Sequence, residues 1–135
     1  MKNKSIVVSG KRKKAIARAT INPGDGRIRI NKVLLDNYTP KISRLKLREP
    51  LILAGDVSNK VNIDINVRGG GVNSQAEASR LALAKSLVEF TKSNELKDKF
   101  LEYDRSFLVA DVRRKEPSKP NRHGKARSKV AKSYR

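Results

Sequence analysis

Val61-Asn62-Ile63-Asp64-Ile65-Asn66-Val67, followed by Arg68 and Gly69-Gly70-Gly71, is the stretch that decides the fold of this chain. Its β-branched residues alternate with asparagine and aspartate, so they share one face of an extended strand and the polar residues share the other. This pattern predicts a strand with one face in the core and one face in water. The glycines break the alternation and predict a turn out of the strand.

A long helix is predicted directly after the glycines. Ser74 and Glu77 have the spacing of a capping box, in which Ser74 caps the helix and Glu77 reaches back to it. We expect the helix to continue to about Thr91, because apolar residues recur there with helical spacing. The apolar stripe consists of Leu81, Leu83, Ala84, Leu87, Val88 and Phe90.

The chain before this stretch predicts three strands. We expect them at residues 5–8, 15–21 and 27–31, with a basic turn at 10–14 and a hairpin turn at 22–26. The second of these strands should bury a face of mostly small residues. That face consists of Ala15, Ala17, Ala19 and Ile21.

A helix should lie between the third strand and the central one. Thr39 is expected to cap it and Pro40 to be its first residue, and Gly55 should end it. Pro50 should break or kink it, since proline removes a helical hydrogen bond. The inward face is expected to consist of Ile42, Leu45 and Leu53.

The sequence after the long helix predicts one more helix and a final apolar segment. Asn94 is a suitable cap, and the segment 107–109 is a candidate edge strand. The inward side chains of this helix should be Leu96, Phe100 and Tyr103.

Together these elements predict an α+β fold, a two-layer sandwich of three or four mostly antiparallel strands and two or three helices. Residues 1–111 are expected to form one globular body, and residues 112–135 a basic C-terminal extension. The sequence shows no internal repeat and no second domain.

Positive charge is concentrated at the two ends of the chain. The 135 residues carry a formal net charge of +19, of which +7 lies in residues 1–20, +3 in 21–112 and +9 in 113–135. The last segment has too little apolar surface to offset its ordering entropy, so alone it should be disordered and need a polyanion. This distribution predicts binding to the phosphate backbone of a nucleic acid.

What the sequence lacks argues against several classes of protein. There is no cysteine, which excludes disulfides and thiolate metal sites, and nothing indicates secretion. The longest apolar run, at 51–54, is far too short to span a bilayer. His123 has no orienting partner in sequence, so neither metal binding nor catalysis is expected of it. We expect a cytoplasmic protein that is not an enzyme and has no metal, cofactor, membrane or small-molecule partner.

The glycine run at 69–71 leaves three alternatives open. It can be a strand-to-helix turn that needs positive φ, or a loop whose backbone N–H groups contact an RNA phosphate. A site for a soluble nucleotide is the weakest alternative, because neither a P-loop nor a complete dinucleotide fingerprint is present.

An ordered series of motifs extends over the whole chain. It consists of Gly-Lys-Arg-Lys-Lys-Ala-Ile-Ala-Arg-Ala at 10–19, Asn-Pro-Gly-Asp-Gly at 22–26, Glu-Pro-Leu at 49–51, Val-Arg-Gly-Gly-Gly at 67–71 with Gln75-Ala76, Asp111-x-Arg113-x-x-Glu116, Gly124, Ala126-Arg127, and Lys-Ser-Tyr-Arg at 132–135. This series resembles the small-subunit ribosomal protein number nine family, and the Ser-Tyr-Arg ending is similar to its archaeal type. Ala131 stands where the family often has Gln.

The resemblance implies a fold like the second domain of small-subunit ribosomal protein five, with a left-handed crossover. It also implies a place in the head of the small ribosomal subunit, in contact with ribosomal RNA, P-site tRNA and neighbouring head proteins. The candidate ribosomal-RNA contacts are Lys11, Arg12, Lys13, Lys14, Arg18, Arg68, Gly69, Gly70, Arg113, Arg114, Lys115, Lys119, Arg122, His123, Lys125, Arg127 and Lys129. The candidate tRNA contacts are Lys132, Ser133, Tyr134 and Arg135.

The basic turn has no acid beside it in sequence, so we expect its cations to face RNA phosphates rather than carboxylates. Without the resemblance, two other functions remain open. A DNA-compacting protein would bind duplex DNA with little structural preference. An RNA-modifying or phosphate-handling enzyme would use the glycine loop, but it would need a catalytic constellation that the sequence does not show.

Overall fold

The alternating stretch forms the central strand of the sheet. The structure is a computed structural model that describes residues 5–122 and 125–127. Within these residues the strands are β1 (Ile6–Arg12), β2 (Ala15–Pro23), β3 (Ile28–Ile30), β4 (Val33–Leu34) and β5 (Val61–Arg68). The α-helices are α1 (Lys41–Ala54), α2 (Val72–Thr91) and α3 (Asn94–Tyr103), with 3-10 helices at Leu35–Asn37, Gly55–Lys60 and Arg105–Phe107.

β5 has the burial pattern that its sequence predicts. Val61, Ile63, Ile65 and Val67 are buried, while the polar residues between them face solvent fully or in part. Helix α2 packs on the buried face of the sheet, and α1 and α3 pack on α2. The structure therefore confirms an α+β fold with helices over one face of a sheet.

The strand order β1-β2-β5-β3-β4 contradicts the predicted hairpin between the second and third strands. β5 lies between β2 and β3, antiparallel to β2 and parallel to β3. Asn62 of β5 closes the turn after β2, because its side-chain oxygen accepts hydrogen bonds from the backbone N–H groups of Asp25 and Arg27, both at 3.0 Å. The turn after β2 is thus completed by β5 and not by a local partner.

The contact between α2 and the sheet depends on small residues. Ala17 and Ala19 of β2 are fully buried, as are Ala78 and Ala82 of α2. Gly10 of β1 lies so close to the helix that a Cβ added there would be 2.5 Å from the carbonyl oxygen of Ala78 and 2.7 Å from the backbone nitrogen of Ala82. The small-residue face predicted for β2 is therefore confirmed, and β1 continues it.

Helix α1 is rotated relative to its expected orientation. Ile42 and Leu45 are exposed, at 67% and 49%, whereas Leu47 is fully buried. The helix begins at Lys41 without a side-chain cap, and it continues through Pro50 to Ala54. The sequence predicts that Pro50 breaks or kinks the helix. The break does not occur, since a buried proline inside a packed helix loses one hydrogen bond without ending it. Gly55 ends α1 as expected, with φ of 64°.

The predicted caps of α2 and α3 are also wrong. Helix α2 begins at Val72 after Gly71, and Ser74 lies buried inside its first turn. The cap of α3 is Ser93, one residue before the predicted Asn94, and its hydroxyl accepts a hydrogen bond from the backbone of Leu96. The predicted apolar stripe of α2 and its end at Thr91 are confirmed.

The segment at 107–109 is not a strand. Phe107 ends a 3-10 helix and is fully buried against Phe100, with the two rings edge to face at 5.6 Å. Tyr103 stacks on the Phe107 ring but remains 58% exposed, so it is not the inward residue that its spacing indicated. The segment at 107–109 is thus held by packing of the Phe107 ring and not by pairing with another strand.

Replacing Gly10 with alanine should destabilise the protein. The new methyl group would meet the backbone of α2, which cannot move without displacing the helix. Overpacking of this kind costs about 1–3 kcal/mol. Chemical denaturation of the Gly10→Ala variant measures the change in the free energy of unfolding.

Gly71→Ala is the matched control. A Cβ at Gly71 would have no atom within 4 Å, and its φ of −100° is open to any residue. We expect it to destabilise the protein less than Gly10→Ala, because its methyl group meets no atom and only the preference for glycine over alanine at the helix N-cap is lost. Equal destabilisation by the two variants would contradict the tight approach of β1 to α2.

Candidate nucleic-acid interface

The hairpin turn between β1 and β2 consists of only two residues. Arg12 pairs with Ala15 in the register of the two strands, which leaves Lys13 and Lys14 in the turn. Lys13 has a left-handed φ of 53°, and both lysines are exposed. The predicted basic turn at 10–14 is therefore shorter than expected, because Gly10, Lys11 and Arg12 belong to β1.

The glycine loop passes directly against this turn. Gly69 and Gly70 have φ of 79° and 65°, and a Cβ on Gly69 would be 2.5 Å from the carbonyl oxygen of Lys14. Of the three alternatives for the glycine run, the backbone thus supports a strand-to-helix turn that needs positive φ. The same geometry brings the N-terminal end of α2 beside the two lysines of the turn.

A cleft of about 770 Å³ opens where the turn, the loop and the start of the C-terminal extension meet. Its lining joins three segments that are far apart in sequence and that were predicted separately as nucleic-acid contacts. The lining residues are Arg12, Lys13, Lys14, Gly70, Gly71, Ser74, Arg113, Arg114 and Lys115. Six of these nine residues are basic and none is acidic.

Arg12 differs from the lysines beside it. Its side chain is only 14% exposed, and its Nε donates a hydrogen bond of 2.7 Å to Oε2 of Glu77. Its Nη2 lies 3.5 Å from Oδ2 of Asp111. The expectation that this turn has no acidic partner is therefore wrong for Arg12, and Glu77 serves this ion pair instead of a capping box.

Within the described residues, Lys11, Lys13 and Lys14 form no ion pair. Arg12 and the three lysines therefore have different roles. Arg12 connects strand, helix and extension inside the protein, while the lysines present charge to solvent. Sequence reasoning missed this division, because Glu77 and Asp111 are distant from Arg12 in the chain.

Asp111 holds the beginning of the extension in place. It accepts hydrogen bonds from the side chain of Arg113 at 2.8 Å and from its backbone N–H at 2.9 Å. These bonds, together with the charge of Arg12, hold the pKa of Asp111 well below its usual range. Asp111 therefore stays ionised near neutral pH and ties the extension to Arg12, while the Arg113 side chain remains 80% exposed.

Further along the extension, Glu116 forms ion pairs with two cations. It lies 3.7 Å from Lys119 and 2.9 Å from Nε of Arg127. The backbone N–H of Lys125 donates to the carbonyl of Arg122 at 3.0 Å. The other candidate contacts in this part of the chain, His123, Lys129, Lys132, Ser133, Tyr134 and Arg135, lie outside the described residues.

Arg18 and Arg68 do not line the cleft. They lie on the face of the sheet that the helices leave uncovered, where Arg18 is opposite Asn66 and Arg68 is opposite Ile16. The structure thus divides the predicted sites between a cleft and an open sheet face.

The described residues contain no cluster of three or more His, Cys, Asp or Glu side chains that would hold a metal ion. None of the described helices has the length and hydropathy needed to cross a bilayer.

A sequence model of the family described as ribosomal protein S9/S16 matches residues 10–135. The chain belongs to this family. The small ribosomal subunit protein uS9 of Methanococcus maripaludis strain C7 is 53% identical over 133 residues, which cover 98% of this chain and 99% of that protein. The corresponding protein of Methanococcus vannielii is 50% identical over 133 residues.

Family membership confirms the resemblance drawn from the motifs, including its archaeal type. The family consists of structural proteins of the small ribosomal subunit. The chain is therefore a ribosomal protein of the translation machinery and not an enzyme, and it is located on cytoplasmic ribosomes.

The Arg12→Gln variant should release the start of the extension from the body. Without the guanidinium, Asp111 would lose its ion pair to the body of the protein and keep only its pair with Arg113, which belongs to the extension itself. We expect faster amide hydrogen exchange at residues 109–113, because local opening becomes easier.

The control is Lys13→Gln, which removes a neighbouring charge that has no ion pair within the described residues. It should leave exchange at 109–113 unchanged. Identical exchange in Arg12→Gln and in the unmodified protein would show that Arg12 does not anchor the extension.

Proposed function

We propose that the cationic cleft binds small-subunit ribosomal RNA. The observation that carries this proposal is the lining of the cleft, where six basic residues meet. Four of them have no ion pair within the described residues, namely Lys13, Lys14, Arg114 and Lys115. Like charges brought together repel one another, so a fold that assembles them needs a counter-charge. A phosphate backbone supplies it and gains free energy through the release of counterions.

The glycine loop adds backbone donors to this cationic surface. Gly71 precedes the first turn of α2. The N–H groups of this turn point out of the N-terminal end of the helix, which carries partial positive charge. Lys13 and Lys14 of the turn and Arg114 and Lys115 of the extension line the same cleft, so a phosphate at this position meets cations from both segments. Sequence-independent contact with the RNA backbone follows from such an arrangement.

The finer placement rests on the family. We propose a position in the head of the small subunit, beside neighbouring head proteins and without a membrane or small-molecule partner. The C-terminal residues Lys132, Ser133, Tyr134 and Arg135 then contact P-site tRNA. An extended chain covers about 3.3–3.6 Å per residue, so an extension that leaves the body at Asp111 has ample reach.

We also infer kinship with the second domain of small-subunit ribosomal protein five. It is supported by the parallel pairing of β3 and β5, which are connected through α1, in an otherwise antiparallel sheet. Superposition of an experimental structure of this chain on that domain tests the kinship and the left-handed crossover.

Removing the two lysines of the turn should weaken binding to ribosomal RNA. In the Lys13→Gln/Lys14→Gln variant, each lost phosphate contact should flatten the dependence of log affinity on log salt by roughly 0.7–0.9. Filter binding of purified small-subunit ribosomal RNA over a range of KCl concentrations measures the slope.

The matched control removes the same charge elsewhere. Lys97→Gln/Lys99→Gln changes two exposed lysines of α3, in the helical layer of the fold. An equal change of slope in both double variants would mean that any surface lysine contributes and that the cleft is not a specific site. An unchanged slope in both would contradict the proposal.

Deleting residues 132–135 should spare assembly into the small subunit but weaken tRNA binding at the P site. A guanidinium–phosphate hydrogen bond is worth about 1–3 kcal/mol, so affinity should fall by a corresponding factor. The measurement compares tRNA binding to small subunits that carry the full-length or the truncated protein. Equal P-site affinity would leave these residues as a ribosomal-RNA anchor only.

A further inference from the structure

One face of the sheet is not covered by helices. Along β2 and β5 the residues that alternate with the buried ones point away from α2, and they are mostly polar. We call this surface the open face. It consists of Val7, Ser9, Lys11, Ile16, Arg18, Thr20, Asn22, Arg29, Asn62, Asp64, Asn66 and Arg68.

Charge is unevenly distributed over the open face. At one end Arg29 donates to Asp64 through two hydrogen bonds, of 2.8 and 3.2 Å, so this pair neutralises itself. At the other end Lys11, Arg18 and Arg68 form no ion pair within the described residues. Positive charge is thus concentrated at the end of the face where the chain turns toward the glycine loop.

The strand register places these cations in a fixed pattern. Lys11 and Arg68 flank Ile16 across three adjacent strands, which puts their backbone positions about 10 Å apart at the usual strand spacing. Arg18 lies two residues further along β2, directly opposite Asn66. A shallow hollow of about 240 Å³ lies among Ile16, Arg18, Asn66, Val67 and Arg68.

The composition of the open face decides what it can bind. It contains no aromatic residue, so it lacks the stacking platform on which unpaired bases are held. It does contain arginines for phosphates, and serine, threonine and asparagine side chains that pair with ribose hydroxyls. These are the groups that recognise helical RNA by its backbone and minor groove.

We propose that the open face is a second RNA-binding surface, separate from the cleft, and that it holds the backbone of a helical RNA segment without reading its sequence. Arg18 and Arg68 contact phosphates, and Asn66 contacts a ribose hydroxyl between them. The inference rests on the proposed function, because both surfaces serve binding to ribosomal RNA.

The test compares three double variants of the full-length chain. Arg18→Gln/Arg68→Gln removes the cations of the open face, Lys13→Gln/Lys14→Gln alters the cleft, and Lys97→Gln/Lys99→Gln is the control on α3. Each is titrated with a short RNA duplex, with one of its strands alone and with a DNA duplex of the same sequence.

We expect the open-face variant to lose the preference for RNA duplex over the single strand and over DNA. Its salt slope with RNA duplex should flatten by roughly 1.4–1.8, which corresponds to two phosphate contacts. The α3 control should keep both the preference and the slope. Asn66→Asp, which places a carboxylate opposite Arg18, should lower RNA-duplex affinity while Arg18 remains present.

Different outcomes overturn different statements. If the open-face variant behaves like the α3 control while the cleft variant loses affinity, the inference fails and the proposed function stands. If neither variant loses affinity, both fail. A loss confined to the single strand overturns the helical-RNA assignment, and crosslinking of the open face to a protein in assembled subunits overturns the RNA assignment.

Discussion

The close approach of α2 to the sheet is the constraint on which the rest of this structure depends. Gly10 and the alanines of β2 leave no room between strand and helix, and Ala78 and Ala82 complete the contact from the helical side. Close packing of this kind tolerates little change in volume. Because α2 starts at the glycine loop, its position against β1 also brings the loop to the lysines of the hairpin turn.

Arg12 connects this packing to the electrostatics of the chain. It lies between Glu77 of α2 and Asp111 at the start of the extension, so two carboxylates share one largely buried guanidinium. A guanidinium suits this position, since it offers several donors in a fixed plane and remains charged. The ion cluster directs the extension past the hairpin turn, and the exposed cations of both segments then face the same cleft.

The protein separates its charges by role. Within the described residues, cations paired with carboxylates, such as Arg12 and Arg29, hold elements of the fold together. Within the described residues, no ion pair is formed by Lys13, Lys14, Arg114 and Lys115 of the cleft or by Lys11, Arg18 and Arg68 of the open face. These cations lie on two surfaces of different character, one built around a helix terminus and one built on the sheet.

The sequence by itself determined the α+β class, the alternation of β5, the course of α2, the basic ends of the chain and the family, because local periodicity, composition and motif order are written directly in the residues. Only the tertiary structure decided that β5 separates β2 from β3, that Ile42 faces solvent, and that Glu77 binds Arg12 instead of capping α2. Each of these outcomes is a choice between partners distant in the chain. Such choices depend on which pairing satisfies the most backbone and charged groups at once. A local sequence pattern does not show which distant partners are available, so it cannot predict the outcome.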